Sequence, residues 1–219
     1  MAEIIPAILT SDETDLQNKI NQLAGLVDWL QIDIMDGRFV PEVSVTPGAV
    51  AKISLPKNLN LEFHLMVENP LNFLTAGQLN QVRRIYFHLE PLKGEAAVKA
   101  VLAKIDSLGL EKGIAINPET PIEKLAPYLD RLDAVMLLSV IPGKQGQGFI
   151  PEILEKVKAL KKLSPRTKIA VDGGIGQENI LSIALAGADY LAVGSAVVKN
   201  DNPGQALAKL RQKLAAINY

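Results

Sequence analysis

The chain has 219 residues, 48% apolar and 21% charged, with a formal net charge of -1 and no cysteine. That balance excludes a global field able to draw nucleic acid or an anionic membrane, so any anionic ligand must be held by a local site. There is no disulfide framework, no thiolate metal site, no apolar stretch near the ~18 residues of a membrane span, and no basic-then-apolar leader in MAEIIPAILTSDE; a cytoplasmic location is expected.

Short β-branched runs alternate with helical patterns. In chain order the runs are Ile4–Leu9, Trp29–Met35, Leu59–Met66, Arg84–Glu90, Lys112–Asn117, Ala134–Val140, Lys168–Asp172 and Tyr190–Gly194. Between them, segments at Asp15–Val27, Ala96–Leu108, Ile122–Leu129, Pro151–Leu163, Gln177–Ala186 and Pro203–Ile217 read as helices. Start signals stand at Ser11 and Asp12, at Thr120 with Pro121 and Glu123, and at Pro151; stop glycines stand at Gly25, Gly109 and Gly187. The runs recur roughly every 25 to 30 residues, the length of one βα unit. Eight units without a composition break predict one (β/α)8 barrel domain over residues 1–219, with an open doubly wound sheet as the runner-up.

Barrel enzymes carry their chemistry at the C-terminal ends of the strands. The polar residues gather there: Gln31, Asp33, Met35 and Asp36 on the second run, Glu62, His64 and Met66 on the third, His88 and Glu90 on the fourth, Asn117 on the fifth, Ser139 on the sixth, Asp172 on the seventh, and Gly194-Ser195 on the eighth. Strand alternation puts Leu30, Ile32 and Ile34 against helices and turns Gln31, Asp33 and Met35 into the barrel, together with Glu62, His64 and Met66 and with Ala170 and Asp172. Asp33, His64 and Asp172 can therefore converge, and two carboxylates with an imidazole suit a divalent cation. Asp36, before Gly37, reads as a turn residue, and His88 as a hydrogen-bonded core residue. Gly173-Gly174 and Gly194-Ser195 lie where barrels commonly hold phosphate, and the loop from Pro142 to Gly148 is placed to fold over it.

PAIL near the N-terminus, DIMDGRFVP at Asp33–Pro41, FHLMVENP at Phe63–Pro70, HLE at His88–Glu90, SVIPGKQGQGFIPE at Ser139–Glu152, VDGGI at Val171–Ile175 and VGSAVV at Val193–Val198 resemble the ribulose-phosphate 3-epimerases, in order and over nearly the whole chain. The resemblance implies an isomerase that interconverts D-ribulose 5-phosphate and D-xylulose 5-phosphate. It implies Asp33 and Asp172 as the acid–base pair and a divalent metal (Zn, Fe, Mn, Mg or Co) on Asp33, His64 and Asp172. It also implies phosphate on Gly143, Gly146, Gly173, Gly174, Gly194 and Ser195, and Ala7, Met35, Met66 and Ser139 lining the site. A homo-oligomer is expected, with a small ketose phosphate as the ligand and neither nucleic acid nor membrane as a partner.

The departures from the family pattern cluster at the site. Gln31 stands where the family has the first histidine of HxDxMDG, so a carbonyl oxygen would replace a ring nitrogen at the metal. Ala7 replaces the serine of PSIL, Leu138 replaces a methionine, and PGFGGQ has become Pro142-Gly-Lys-Gln-Gly-Gln147. Three readings follow: an epimerase with an altered metal site, a related ketose-phosphate isomerase or epimerase with another substrate or no metal, and a non-catalytic sugar-phosphate binder. The sister branch with Asp-x-Lys-x-x-Asp is disfavoured, because Asp33-Ile-Met-Asp-Gly-Arg lacks the lysine.

Overall fold

The computed structural model describes residues 2–143 and 146–216. Eight parallel strands close into a barrel in sequence order, with the first paired to the last. They are β1 (Glu3–Ile8), β2 (Trp29–Met35), β3 (Asn60–Met66), β4 (Val82–His88), β5 (Glu111–Ile116), β6 (Ala134–Leu138), β7 (Lys168–Asp172) and β8 (Tyr190–Val193). The helices are α1 (Glu13–Leu23), α2 (Pro47–Val50), α3 (Gly94–Ser107), α4 (Ile153–Leu163), α5 (Ile180–Ala186), α6 (Ser195–Val198) and α7 (Pro203–Ala215).

Alternation along the strands divides the apolar residues into two cores. Leu30, Ile32 and Ile34 of β2, with Phe63 and Leu65 of β3, point outward into the large core shared with the helices. That core receives Leu16 and Ile20 of α1, Val101 and Ile105 of α3, and Val157 and Leu160 of α4. The inward set is smaller: Tyr86, Ala115, Ala134, Met136, Leu138 and Ala170 pack inside the barrel. The small residues there make room for the Tyr86 ring. At Gly113 a Cβ would stand 2.2 Å from Tyr86 Cδ1, a clash no rearrangement short of moving the ring would relieve.

The helix signals hold where the backbone can be capped. The Asp12 side chain accepts from the amide of Asp15 at 2.8 Å at the start of α1, a cap worth about 1 kcal/mol. Gly187 ends α5 with φ at 113°. The repeat is less regular than eight strand-helix units. The expected helix Ile122–Leu129 is two 3-10 turns, Ile122–Leu125 and Leu129–Arg131. Pro127 is the reason: it offers no N–H and its ring would press on the carbonyl four residues back. The connection from β3 to β4 also carries only 3-10 turns, Pro70–Phe73 and Ala76–Gln78. No helix among the described residues is long and apolar enough to cross a membrane.

Candidate active site

Strand register builds the site. β2 and β3 pair over their full length, setting Gln31 beside Glu62 and Asp33 beside His64, while Asp172 closes β7 opposite Leu138 and Ala192. One pocket at this end of the barrel is lined by Ala7, Asp33, Met35, His64, Met66 and Asp172, and by the backbone at Gly143, Gly146, Gly173, Gly174, Gly194 and Ser195. Leu9, Val140, Pro142, Gln147 and Ile175 also line it, residues that carried no sequence signal beyond apolarity or their place in the loop. Met35 and Met66 pack with Val40, Phe39 and Leu9 as an apolar wall on the β2–β3 side.

Two residues fall elsewhere than expected. Ser139 does not line the pocket; it is fully buried, and its hydroxyl lies 3.0 Å and 2.6 Å from the carbonyls of Asp172 and Gly173, where it ties down the end of β7. Gln31 lies below the pocket floor, fully buried. Its amide nitrogen donates to Asp33 Oδ1 at 2.8 Å and to Asp172 Oδ2 at 2.7 Å, and so bridges the two carboxylates. Asp36 is a turn residue: its carboxylate accepts the amides of Arg38, Phe39 and Glu68. Of the loop from Pro142 to Gly148, Lys144 and Gln145 lie outside the described residues.

The glycines at the end of β7 are required by their surroundings. Gly173 has φ at 113° and a Cβ there would stand 2.4 Å from Val140 Cγ2; Gly174 has φ at 61° and its Cβ would meet the Phe149 amide nitrogen at 2.7 Å. Any side chain would force this backbone away from the pocket.

The electrostatics are those of a cation site. His64 Nδ1 lies 3.1 Å from Asp172 Oδ2 and 3.4 Å from Asp33 Oδ1. Burial pulls the imidazole down, but the two carboxylates outweigh it and lift His64 to about 9. Burial raises Asp33, and the Asp172 charge adds to the rise, against the lowering by the neighbouring His64 and the Gln31 hydrogen bond. One ligand atom from each of Asp33, His64 and Asp172 lies within 4.8 Å of the others, so the three could hold a metal ion. Among the described residues, the buried atoms His64 Nδ1 and Gln31 Oε1 have no hydrogen-bond partner. Orphaned atoms beside two carboxylates are what a bound cation would satisfy, so this donor set fits a divalent metal.

Behind His64 the network continues. His64 Nε2 lies 3.0 Å from His88 Nε2, and His88 Nδ1 lies 3.1 Å from Glu90 Oε2. Burial, with the charge on His64, lowers His88. Burial raises Glu90, but the His88 contact, the Asn117 amide and the Thr120 hydroxyl together bring it down to about 2. His88 is thus a buried hydrogen-bonded histidine, as its sequence suggests, but its partner is the site.

The ribulose-phosphate 3 epimerase family model matches residues 3–198. The chain belongs to the ribulose-phosphate 3-epimerase family. Among its relatives, the ribulose-phosphate 3-epimerase of Chlamydia pneumoniae is 37% identical over 205 residues, covering 90% of this chain and 88% of that one. The cytoplasmic isoform of Oryza sativa subsp. japonica is 32% identical over 217 residues, covering 97% and 94%. Solved structures show the shared barrel: KGPDC from Streptococcus mutans superposes with a TM-score of 0.77 at 13% identity over 99% of this chain and 98% of that one. A tryptophan synthase alpha-subunit from Pyrococcus furiosus superposes with a TM-score of 0.71 at 19% identity over 97% of each chain.

Proposed function

We propose that this chain is a ribulose-phosphate 3-epimerase that inverts C3 of a ketose phosphate, with Asp33 and Asp172 as the two proton carriers. The observation that carries the reading is the pair of carboxylates, brought from β2 and β7 to one buried pocket and bridged by a single amide nitrogen. Inverting a carbon needs one group to take the proton and a second to return one from the other face. Burial raises Asp33, which makes its carboxylate a better proton acceptor than a solvated one. A non-catalytic binder has no use for two carboxylates, Asp33 buried and Asp172 partly buried, near a phosphate dianion, whose mutual repulsion is costly.

Removing the proton beside the C2 carbonyl leaves an enediolate. A divalent metal held by Asp33, His64 and Asp172 would supply charge stabilisation worth several kcal/mol. Turning the Gln31 amide over would offer Oε1 to such an ion as a fourth donor; zinc favours an amide oxygen less than magnesium or manganese do. The amide as it stands donates to both carboxylates and holds their oxygens toward one point. The phosphate is assigned to the glycine backbone at Gly143, Gly146, Gly173, Gly174 and Gly194 with Ser195, which line the same pocket. Met35 and Met66, which line the pocket with Phe39 packed against them, would shield the reacting carbon from water.

The test is turnover of ribulose 5-phosphate in deuterated water with the metal content of the same sample measured. Deuterium enters C3 of both ketose phosphates if the reading holds. No incorporation, with or without added divalent metal, refutes it.

A further inference from the structure

His88 and Glu90 do not reach the pocket, yet they are wired to the residue that faces it. We propose that Glu90, acting through His88, is a positioning residue that fixes the His64 ring with Nε2–H pointing back and the Nδ1 lone pair presented to Asp33 and Asp172. The inference rests on the metal-ligand role given to His64 above.

The assignment follows from which groups can donate. Glu90 Oε1 accepts the main-chain N–H of Asn117 at 2.7 Å and the Thr120 hydroxyl at 2.6 Å. A backbone amide can only donate, so that end of the carboxylate is committed as an acceptor. The other oxygen lies 3.1 Å from His88 Nδ1. A carboxylate has no hydrogen to offer, so His88 must carry its own on Nδ1. The neutral His88 ring then has a bare Nε2, which lies 3.0 Å from His64 Nε2. Two bare nitrogens at that distance would repel, so the hydrogen between the rings sits on His64.

One nitrogen of His64 is left, Nδ1, and it is the atom without a hydrogen-bond partner, 3.1 Å and 3.4 Å from the two carboxylates. With a cation between the carboxylates the ring is neutral and Nδ1 carries the free lone pair; without one, the same two carboxylates favour a proton there. Reversing the chain of donors would put a hydrogen on Nδ1 and remove the ligand. The carboxylate thus decides the tautomer of a ring it does not touch, as outer partners of metal-binding histidines commonly do.

The chain contains two histidines, so protein labelled with 15N at histidine gives two ring systems in long-range 1H–15N spectra. With Zn2+ bound, the expected signature is Nδ1–H for His88 and Nε2–H for His64. Glu90→Gln, whose amide can either donate or accept, should lose the His88 preference. In calorimetry it should weaken Zn2+ binding about 10- to 100-fold, with binding of inorganic phosphate unchanged. Thr120→Val leaves Glu90 and both rings in place, should shift Zn2+ affinity the same way by less, and decides the matter if Glu90→Gln fails to fold. An Nε2–H tautomer at His88, or unchanged Zn2+ affinity in both variants, overturns the proposal. The two readings fail separately: reversed tautomers with normal deuterium incorporation at C3 sink the relay alone. No incorporation with the expected tautomers and Zn2+ affinities sinks the epimerase reading alone.

Discussion

Two polar layers are stacked inside the same barrel, and they differ in how completely they are satisfied. In the lower one, Arg84 is 2% exposed, and its guanidinium donates at 2.7 Å to both Glu62 and Glu111. That cation also lies over the rings of Tyr190 at 4.2 Å and Trp29 at 4.6 Å. Among its described residues this layer leaves the Tyr86 hydroxyl without a partner, but its charges are paired. The upper layer, two residues further along β2 and β3, has two carboxylates facing one imidazole and leaves His64 Nδ1 and the oxygen of Gln31 bare. The lower layer balances its charges with an arginine; the upper one sets two carboxylates against a single imidazole, an excess of negative charge that suits a cation.

The contrast predicts opposite phenotypes. The largest effect is expected at Asp172→Asn, which should lower C3 exchange by about 10²- to 10⁴-fold while leaving phosphate binding and thermal stability close to wild type. Persistent exchange would remove Asp172 from proton transfer. Arg84→Met should do the reverse, costing about 3–5 kcal/mol in denaturant unfolding because Glu62 is left buried and unpaired, with the folded fraction keeping its turnover. Burial raises Glu62 to about 7 even with Arg84 beside it to lower it; without that partner the carboxyl rises further, so the loss should shrink as pH falls toward 7 and the orphaned group protonates. A stable Arg84→Met that has lost activity would blur the distinction between the layers.

Gln31→His should tighten Zn2+ binding by about tenfold, since ring nitrogen replaces an amide at the cation. Unchanged affinity would mean residue 31 does not reach the metal. The smallest effect concerns Glu90. Its folded pKa of about 2 lies below the ordinary 4.5, so its ionised form adds stability that is present above 4.5 and is lost as pH falls toward 2. The stability gap between wild type and Glu90→Gln should narrow over that window; a gap independent of pH would mean Glu90 is not held as an anion.

Much of this was legible before folding, for a local reason. Trp29–Met35 and Lys168–Asp172 are strands at the bounds the sequence suggests, and the period-two alternation along them sends Asp33 and Asp172 inward. What escaped depends on partners far along the chain. The bridge from Gln31 to Asp172 spans 141 residues, and no local pattern encodes an amide that donates to both carboxylates. His88 and Glu90 could have been linked to the site by the same parity: Arg84, Tyr86 and His88 alternate inward on β4, and His64 is in register with Tyr86 on the neighbouring strand. Pro127 is the local signal for the broken helix after β5.

The central claim is that the upper layer is built around a cation lying between two proton-carrying aspartates. Crystals soaked in Mn2+ and measured at the manganese edge test it most directly. One strong anomalous peak is expected, bounded by Asp33, His64 Nδ1 and Asp172, with the Gln31 amide turned so that its oxygen faces the ion. A map with no peak there, and Gln31 still donating to both carboxylates, would contradict it.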